Sequence, residues 1–298
     1  MRRFDSARLT PLVFAVSLAS AAAALGPLAR DVTGGDQGDE IQKEEMKRRK
    51  ERYTNWMRDY SKDTTVRVKM PGDDESTADL VPTPIFRYSS QVIADDATLW
   101  IWTRDARPVA LQKVEVNNFG GGRMWTICFG SVSEGLVSVG WREGRQYSAT
   151  QPGVKYRPIP GADAPGDRAK TRISQLKSLK GRFSGVVGLK ADGNGGTEMK
   201  AITTPLYEYS DKDSKLPLGA IFSMVDDKGN LNPGFLLILE ARPDGDGKWR
   251  WEYGGVRLGD SAVLLRLDDA EVWRQRAVEV TDQIHDNWTF YFMRRDFE

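Results

Sequence analysis

TPLYEYS, residues 204–210, shares four of its seven residues with TPIFRYS, residues 83–89. One match of this size is expected by chance in a chain of 298 residues, so collinear neighbours have to decide what it means. They are present. RDYS, ending at Ser61, parallels GRFS, ending at Ser184, at an offset of 123; ATLWIW from Ala97 parallels GAIFSM from Gly219 at 122. RPVALQKVEV from Arg107 parallels NPGFLLILEA from Asn232 at 125, which sets Glu115 on Glu240. WTICFG from Trp125 parallels WRWEYG from Trp249 at 124, and EGLVSV from Glu134 parallels DSAVLL from Asp260 at 126. The offset drifts by only a few residues, and turn-rich connections can absorb that drift. The pattern reads as a diverged duplication of a unit of about 120 residues. The competing explanation is strand grammar recurring by convergence.

Each unit opens with a helical pattern. Residues 39–60 put Met46, Tyr53, Trp56, Met57 and Tyr60 on one stripe, with glutamate and arginine at i,i+4 on the other face. Those glutamates make KRRK, residues 47–50, a solvated helix face. Residues 167–183 place Ile173, Leu176, Leu179 and Phe183 together, with Asp167 as the expected N-cap. Short runs rich in β-branched and aromatic residues follow, bounded by Gly, Pro, Asn and Asp. Loops such as DDKGN and PDGDGK suit hairpins, and no crossover is long enough for parallel strands. FLLILE reads as a central strand and ALQKVEV as a half-exposed one. The expected fold class is therefore α+β: two homologous units, each one helix plus an antiparallel β-meander, packed pseudo-symmetrically. The expected boundaries are a signal peptide over 1–24, a flexible leader over 25–38, repeat units over 39–162 and 163–273, and a tail over 274–298 offering one extra strand.

The signal assignment rests on basic Arg2 and Arg3, an apolar run over 12–25, and small residues before a cleavage site near Ala24. Pro11, Ser17 and Ser20 make that run short for a membrane span, which is the alternative reading. Export to the periplasm or exterior is expected, with membrane contact only through an uncleaved signal segment. The formal charge is +1; Arg2, Arg3 and Arg8 against Asp5 contribute +2, so the processed chain carries +1 − 2 = −1. Such a balance lacks the basic footprint of a nucleic-acid binder.

Chemistry is sparse. One cysteine, Cys128, and one histidine, His285, exclude an intrachain disulfide and leave the His/Cys metal classes without ligands. No G-x-S-x-G surrounds a serine, and FGGGR at 119–123 lies between strands instead of opening a helix. ADGNGG and DGDGK resemble fragments of calcium loops but read better as tight turns. No cofactor or metal is expected. Glu115 and Glu240 hold matched positions; if a pseudo-twofold axis brought them together, they would form a hydrolytic carboxylate pair. Trp100 with Trp102, and Trp249 with Trp251, share a face by the two-residue strand period. They are candidates for an exposed binding platform, with burial in the core as the alternative.

ATLWIW, WTICFGS and the succession PLYEYS, GAIFSM, LLILEAR, WRWEYG resemble uncharacterised exported proteins of planctomycete-type bacteria over residues 83–273. That resemblance implies a two-unit β-rich architecture and export, and it assigns no residue a role. The expectation is a non-catalytic binding or structural protein of the cell envelope, its partner an envelope protein or glycan. The alternative is a hydrolase of an envelope or extracellular polymer, with carboxylates in a cleft between the units.

Overall fold

A computed structural model describes residues 35–89, 94–118, 123–190, 194–210, 217–227, 232–279 and 286–294. The signal segment and His285 lie outside the described residues, as do parts of the FGGGR, ADGNGG and DDKGN loops. The chain divides into Met1–Glu45 and Met46–Glu298. Of the first, only residues 35–45 are described, and they are helical, including four assigned from sequence to a leader. The second carries every strand among the described residues.

In chain order, α1 (Gly35–Lys62) is followed by β1 (Thr65–Lys69), β2 (Ser76–Thr77), β3 (Asp79–Leu80), β4 (Phe86–Tyr88), β5 (Ala94–Arg104), β6 (Arg107–Asn118), β7 (Arg123–Ser131), β8 (Leu136–Gly140) and β9 (Gln146–Ser148). Then come β10 (Arg157–Pro158), α2 (Ala169–Lys180), β11 (Phe183–Val187), β12 (Thr197–Ala201), β13 (Tyr207–Ser210), β14 (Pro217–Val225), β15 (Phe235–Pro243), β16 (Trp249–Arg257), β17 (Val263–Leu267), β18 (Ala270–Gln275) and β19 (Trp288–Arg294). The fold is α+β, and among the described residues every strand pairing is antiparallel.

The strands do not form plain meanders. One sheet runs β2-β1-β8-β9 and a second β19-β7-β6-β5-β3, with β4 on β5. They meet at Ala78, the single residue between β2 and β3, whose N–H donates to Val66 O at 2.9 Å. The third sheet runs β10-β16-β15-β14-β12-β11-β17-β18, with β13 on β14. In each case the first strand after the helix pairs with a strand from the far end of its unit: β1 with β8, and β11 with β17. The tails cross over. β10 follows β9 in the chain yet lies on β16, whereas β19 follows β18 yet lies on β7.

Strand alternation sorts side chains onto two faces. Trp100, Trp102, Ala110, Val114 and Val116 face the helix side and pack with Tyr53, Trp56, Met57 and Tyr60 of α1. Phe222, Leu237, Leu239 and Trp251 do the same with Leu176 and Leu179 of α2. The opposite faces meet each other: Leu99, Ile101 and Leu111 pack against Ile221, Leu236 and Ile238. The order of layers is helix, sheet, sheet, helix. Each apolar side chain buried in the middle contributes on the order of 1.5–3 kcal/mol.

Several local expectations change. Met46 is 50% exposed and does not join the buried stripe of α1. Ile173 points outward, Phe183 belongs to β11, and Arg168, not Asp167, occupies the N-cap of α2 without a side-chain cap bond. ALQKVEV is buried on both faces, since a second sheet covers the face that alternation assigned to water. Its polar residues find protein partners. The Gln112 amide donates to Ser61 Oγ at 3.2 Å and accepts from Trp141 Nε1 at 2.8 Å.

Candidate functional site

Glu115 and Glu240 sit in identical three-strand ladders. Tyr88 on β4 is opposite Ala97 on β5, which is opposite Glu115 on β6. Tyr209 on β13 is opposite Gly219 on β14, which is opposite Glu240 on β15. In both ladders the phenol reaches across the small middle residue and donates to the carboxylate, at 2.5 Å for Tyr88–Glu115 and 2.6 Å for Tyr209–Glu240. The second ladder is the tighter one: Ala97 carries a Cβ in the first, whereas a Cβ at Gly219 would stand 2.4 Å from Tyr209 Cζ and Oη, where the ring now lies. Burial, reinforced by the neighbouring carboxylate, holds the Tyr88 phenol well above its usual range; burial does the same to Tyr209, with Tyr156 and Glu240 adding to it.

The opposite half supplies further partners. Arg107, at the start of β6, places Nη2 3.1 Å from Glu240 Oε1. Asn232, just before β15, accepts from Lys113 Nζ at 3.0 Å and lies 3.2 Å from the Tyr88 hydroxyl. Lys113 Nζ also lies 3.5 Å from Glu115 Oε1. These contacts separate the two glutamates. Arg107 touches Glu240, yet Glu115 lies eight residues further along β6, about 26 Å at 3.3 Å per residue. Even after allowing for the arginine's length, the carboxylates lie at opposite ends of the interface, beyond the span of about 10 Å that a glycosidase pair needs. The expected convergence of Glu115 and Glu240 does not occur.

The tryptophan platform is also corrected. Trp100, Trp102 and Trp251 are buried, because their face is the one covered by the helices. Trp249 is 44% exposed; it lies opposite Pro243 at the open end of the β15–β16 ladder, away from Trp251. Cys128 is buried beside Trp288 and Phe290, and burial pushes its thiol up to about 12. In DGDGK, the Asp244 carboxylate accepts the N–H groups of Asp246 and Lys248, both at 2.9 Å, as a tight turn requires.

The cleft lies at the Glu240 end. A cavity of about 480 Å³ opens there, lined by Arg104, Arg107, Arg242, Glu134, Glu240 and Tyr156 over an apolar wall. Glu240 Oε2 accepts from Tyr209 and, at 3.1 Å, from Tyr156; Oε1 accepts from Arg242 at 3.1 Å and is ion-paired with Arg107. A carboxylate has about four lone-pair positions; hydrogen bonds fill three of them and the Arg107 ion pair covers the remaining side. Arg242 stacks over the Tyr156 ring at 4.4 Å and reaches Glu134 through Nη2 at 2.6 Å and Glu252 through Nε at 3.2 Å. Sequence reasoning found Glu240 and missed Tyr88, Tyr209, Tyr156, Arg107, Arg242 and Asn232. A signal existed for two of these: the tyrosine common to TPIFRYS and TPLYEYS is the residue that holds each glutamate. Among the described residues, no group of three His, Cys, Asp or Glu is placed to hold a metal ion. No protein-family model matches the chain, and no curated protein or solved structure is similar to it.

Proposed function

We propose that this is an exported protein of the cell envelope that binds a ligand in the cleft beside Glu240 without transforming it. Its body would be two copies of one helix-and-sheet unit. The carrying observation is the way Tyr156, Tyr209, Arg107 and Arg242 hold Glu240 from every side. Three hydrogen bonds and the ion pair with Arg107 tie down both oxygens, which leaves the carboxylate little freedom to turn towards a substrate. The hydrolase alternative needs a carboxylate with that freedom. Duplication is supported by the shared ladder partners of the two sheets, by the tyrosine–glutamate pair in each, and by the reciprocal placing of β10 and β19. Export is supported by the basic and apolar pattern of residues 1–25.

The test has two arms. The full chain is expressed with a carboxy-terminal tag, the cells are fractionated, and the mature amino terminus is sequenced. The expected result is a periplasmic or extracellular protein beginning near residue 25; a cytoplasmic, unprocessed chain would refute export. The purified protein is then assayed against soluble glycan and peptide polymers. Turnover that disappears in Glu240→Gln would overturn the binding reading.

A further inference from the structure

We infer that the cleft takes a small monocarboxylate with a short apolar body, its carboxylate held between Arg104 and Arg107. The inference rests on the binding reading above and names the chemistry of its ligand. Arg104 ends β5, Arg107 begins β6, and the two are direct cross-strand partners. Their side chains therefore leave the same face of the hairpin about 5 Å apart at Cβ. Like charges directly opposite each other destabilise a sheet. The two-residue turn between them adds to the conflict: Asp105 and Ala106 both adopt left-handed backbone, at φ 52° and 64°, and although aspartate suits the first place, alanine stands at the second where glycine is usual. A hairpin that sets two arginines face to face over such a turn breaks local rules, and such breaks gather at ligand sites.

The arginines keep donors unengaged. Nη1 of Arg104 is buried and has no hydrogen-bond partner, while Nη2 reaches Asp73 at 3.2 Å. Arg107 uses Nη2 on Glu240, and its side chain stays 42% exposed at the cavity. Arg242, by contrast, has Nε, Nη1 and Nη2 all occupied. The exposed edge of Arg107 and the buried, unsatisfied Nη1 of Arg104, whose Nε lies 3.7 Å from Asp105 Oδ2, together match the planar fork of a carboxylate that enters between them. The charge of the lining selects against more highly charged anions. Three arginines face Asp73, Asp105, Glu134 and Glu240, a balance of 3 − 4 = −1. A singly charged ligand tolerates that field better than phosphate does. Pro71, Pro108, Val109 and Val132 form the apolar wall that would receive an aliphatic body.

The test is calorimetric titration of the full chain with hexanoate, hexanamide, hexylamine and inorganic phosphate. The expected result is binding of hexanoate alone, weakened at least tenfold in Arg104→Gln and in Arg107→Gln, and less in Arg107→Lys. Near-ultraviolet circular dichroism and melting of each variant show that the fold is retained. Absence of hexanoate binding overturns the inference, as does phosphate binding of equal or greater strength. Hexanoate affinity unchanged in both glutamine variants also overturns it. Binding of hexanamide or hexylamine that depends on Arg107 overturns the carboxylate assignment while leaving the binding reading in place. Turnover of a polymer is the outcome that removes that reading.

Discussion

Gly219→Ala tests whether the tyrosine–glutamate ladder holds the cleft in shape. The glycine has no left-handed φ, so alanine suits the backbone and the effect is purely steric. The new Cβ would meet Tyr209 Cζ and Oη at 2.4 Å and Cε2 at 2.9 Å. Real contacts lie nearer 3.5–4 Å, so the ring has to move by about 1 Å. Tyr209 is buried and packed against Ile221 and Leu236, so it cannot move without losing its 2.6 Å bond to Glu240. A hydrogen bond to a charged group contributes about 1.5–3 kcal/mol, and overpacking costs about 1–3 kcal/mol. The ring either clashes or loses its bond, so the two costs overlap, and the expected loss is about 2–4 kcal/mol. Urea unfolding followed by tryptophan fluorescence, with unchanged m, measures it; melting should fall by roughly 5–15 °C. In a Tyr209→Ala background the same substitution should cost less than about 1 kcal/mol. A loss below about 1 kcal/mol in the wild-type background, or an equal loss in both, would refute the reasoning.

Three other outcomes follow from the geometry. Trp251→Ala should cost about 3–5 kcal/mol in urea unfolding and Trp249→Ala less than about 1 kcal/mol, since only the first leaves a cavity. Glu115→Gln should cost about 2–4 kcal/mol by leaving Lys113 buried beside a neutral partner, and adding Lys113→Met should recover at least half of that loss. The Cys128 thiol ionises near 9.0 when unperturbed and about 12 in the fold, so between those values the native state holds one more proton than the unfolded state. Stability should therefore decline as pH rises from about 9 towards 12, and Cys128→Ala should make that decline shallower from pH 9, with the part due to the raised tyrosines, which sets in as their unfolded counterparts ionise near 10, left in place.

Much of the fold was legible because alternation and turn chemistry are local. FLLILE is apolar on both faces and becomes β15, covered on both sides. ALQKVEV misled for the same reason that alternation usually informs: polar residues at every second place signal water unless another polar surface covers them. Lys113 and Glu115 face Asn232 of the opposite half, and no local pattern in β6 encodes a partner more than a hundred residues away. Matching by identity also slips. RDYS and GRFS match at 123, but β1 and β11 occupy like positions beside β8 and β17 when Val68 is set on Val187, an offset of 119. Likewise Trp125 takes the place of Trp251, next to the glutamate-bearing strand, and not that of Trp249. The cleft was legible only in Glu240, since Arg107, Arg242 and Tyr156 acquire meaning only when two sheets are laid together.

The distribution of charge in that interface has a consequence for how the halves register. Its middle is aliphatic, with Leu99, Ile101 and Leu111 against Ile221, Leu236 and Ile238, and such surfaces tolerate repacking. Its two ends are ionic. Each glutamate is neutralised from its own strand, by Lys113 two residues before Glu115 and by Arg242 two residues after Glu240. Each tyrosine–glutamate pair is also met by the opposite half, through Asn232 and Arg107. A slip of two residues, about 6.6 Å, would keep hydrocarbon on hydrocarbon in the middle. At the ends the same slip would leave Glu240 facing Pro108 and Val109 and would take Asn232 away from Lys113. Buried ion pairs add little net stability over hydrocarbon, but losing one partner of such a pair costs about 3–5 kcal/mol. The aliphatic centre thus supplies adhesion and the ionic ends select one register. The cleft opens at one of those ends, so the contacts that fix how the sheets meet also fix the arginines that line it.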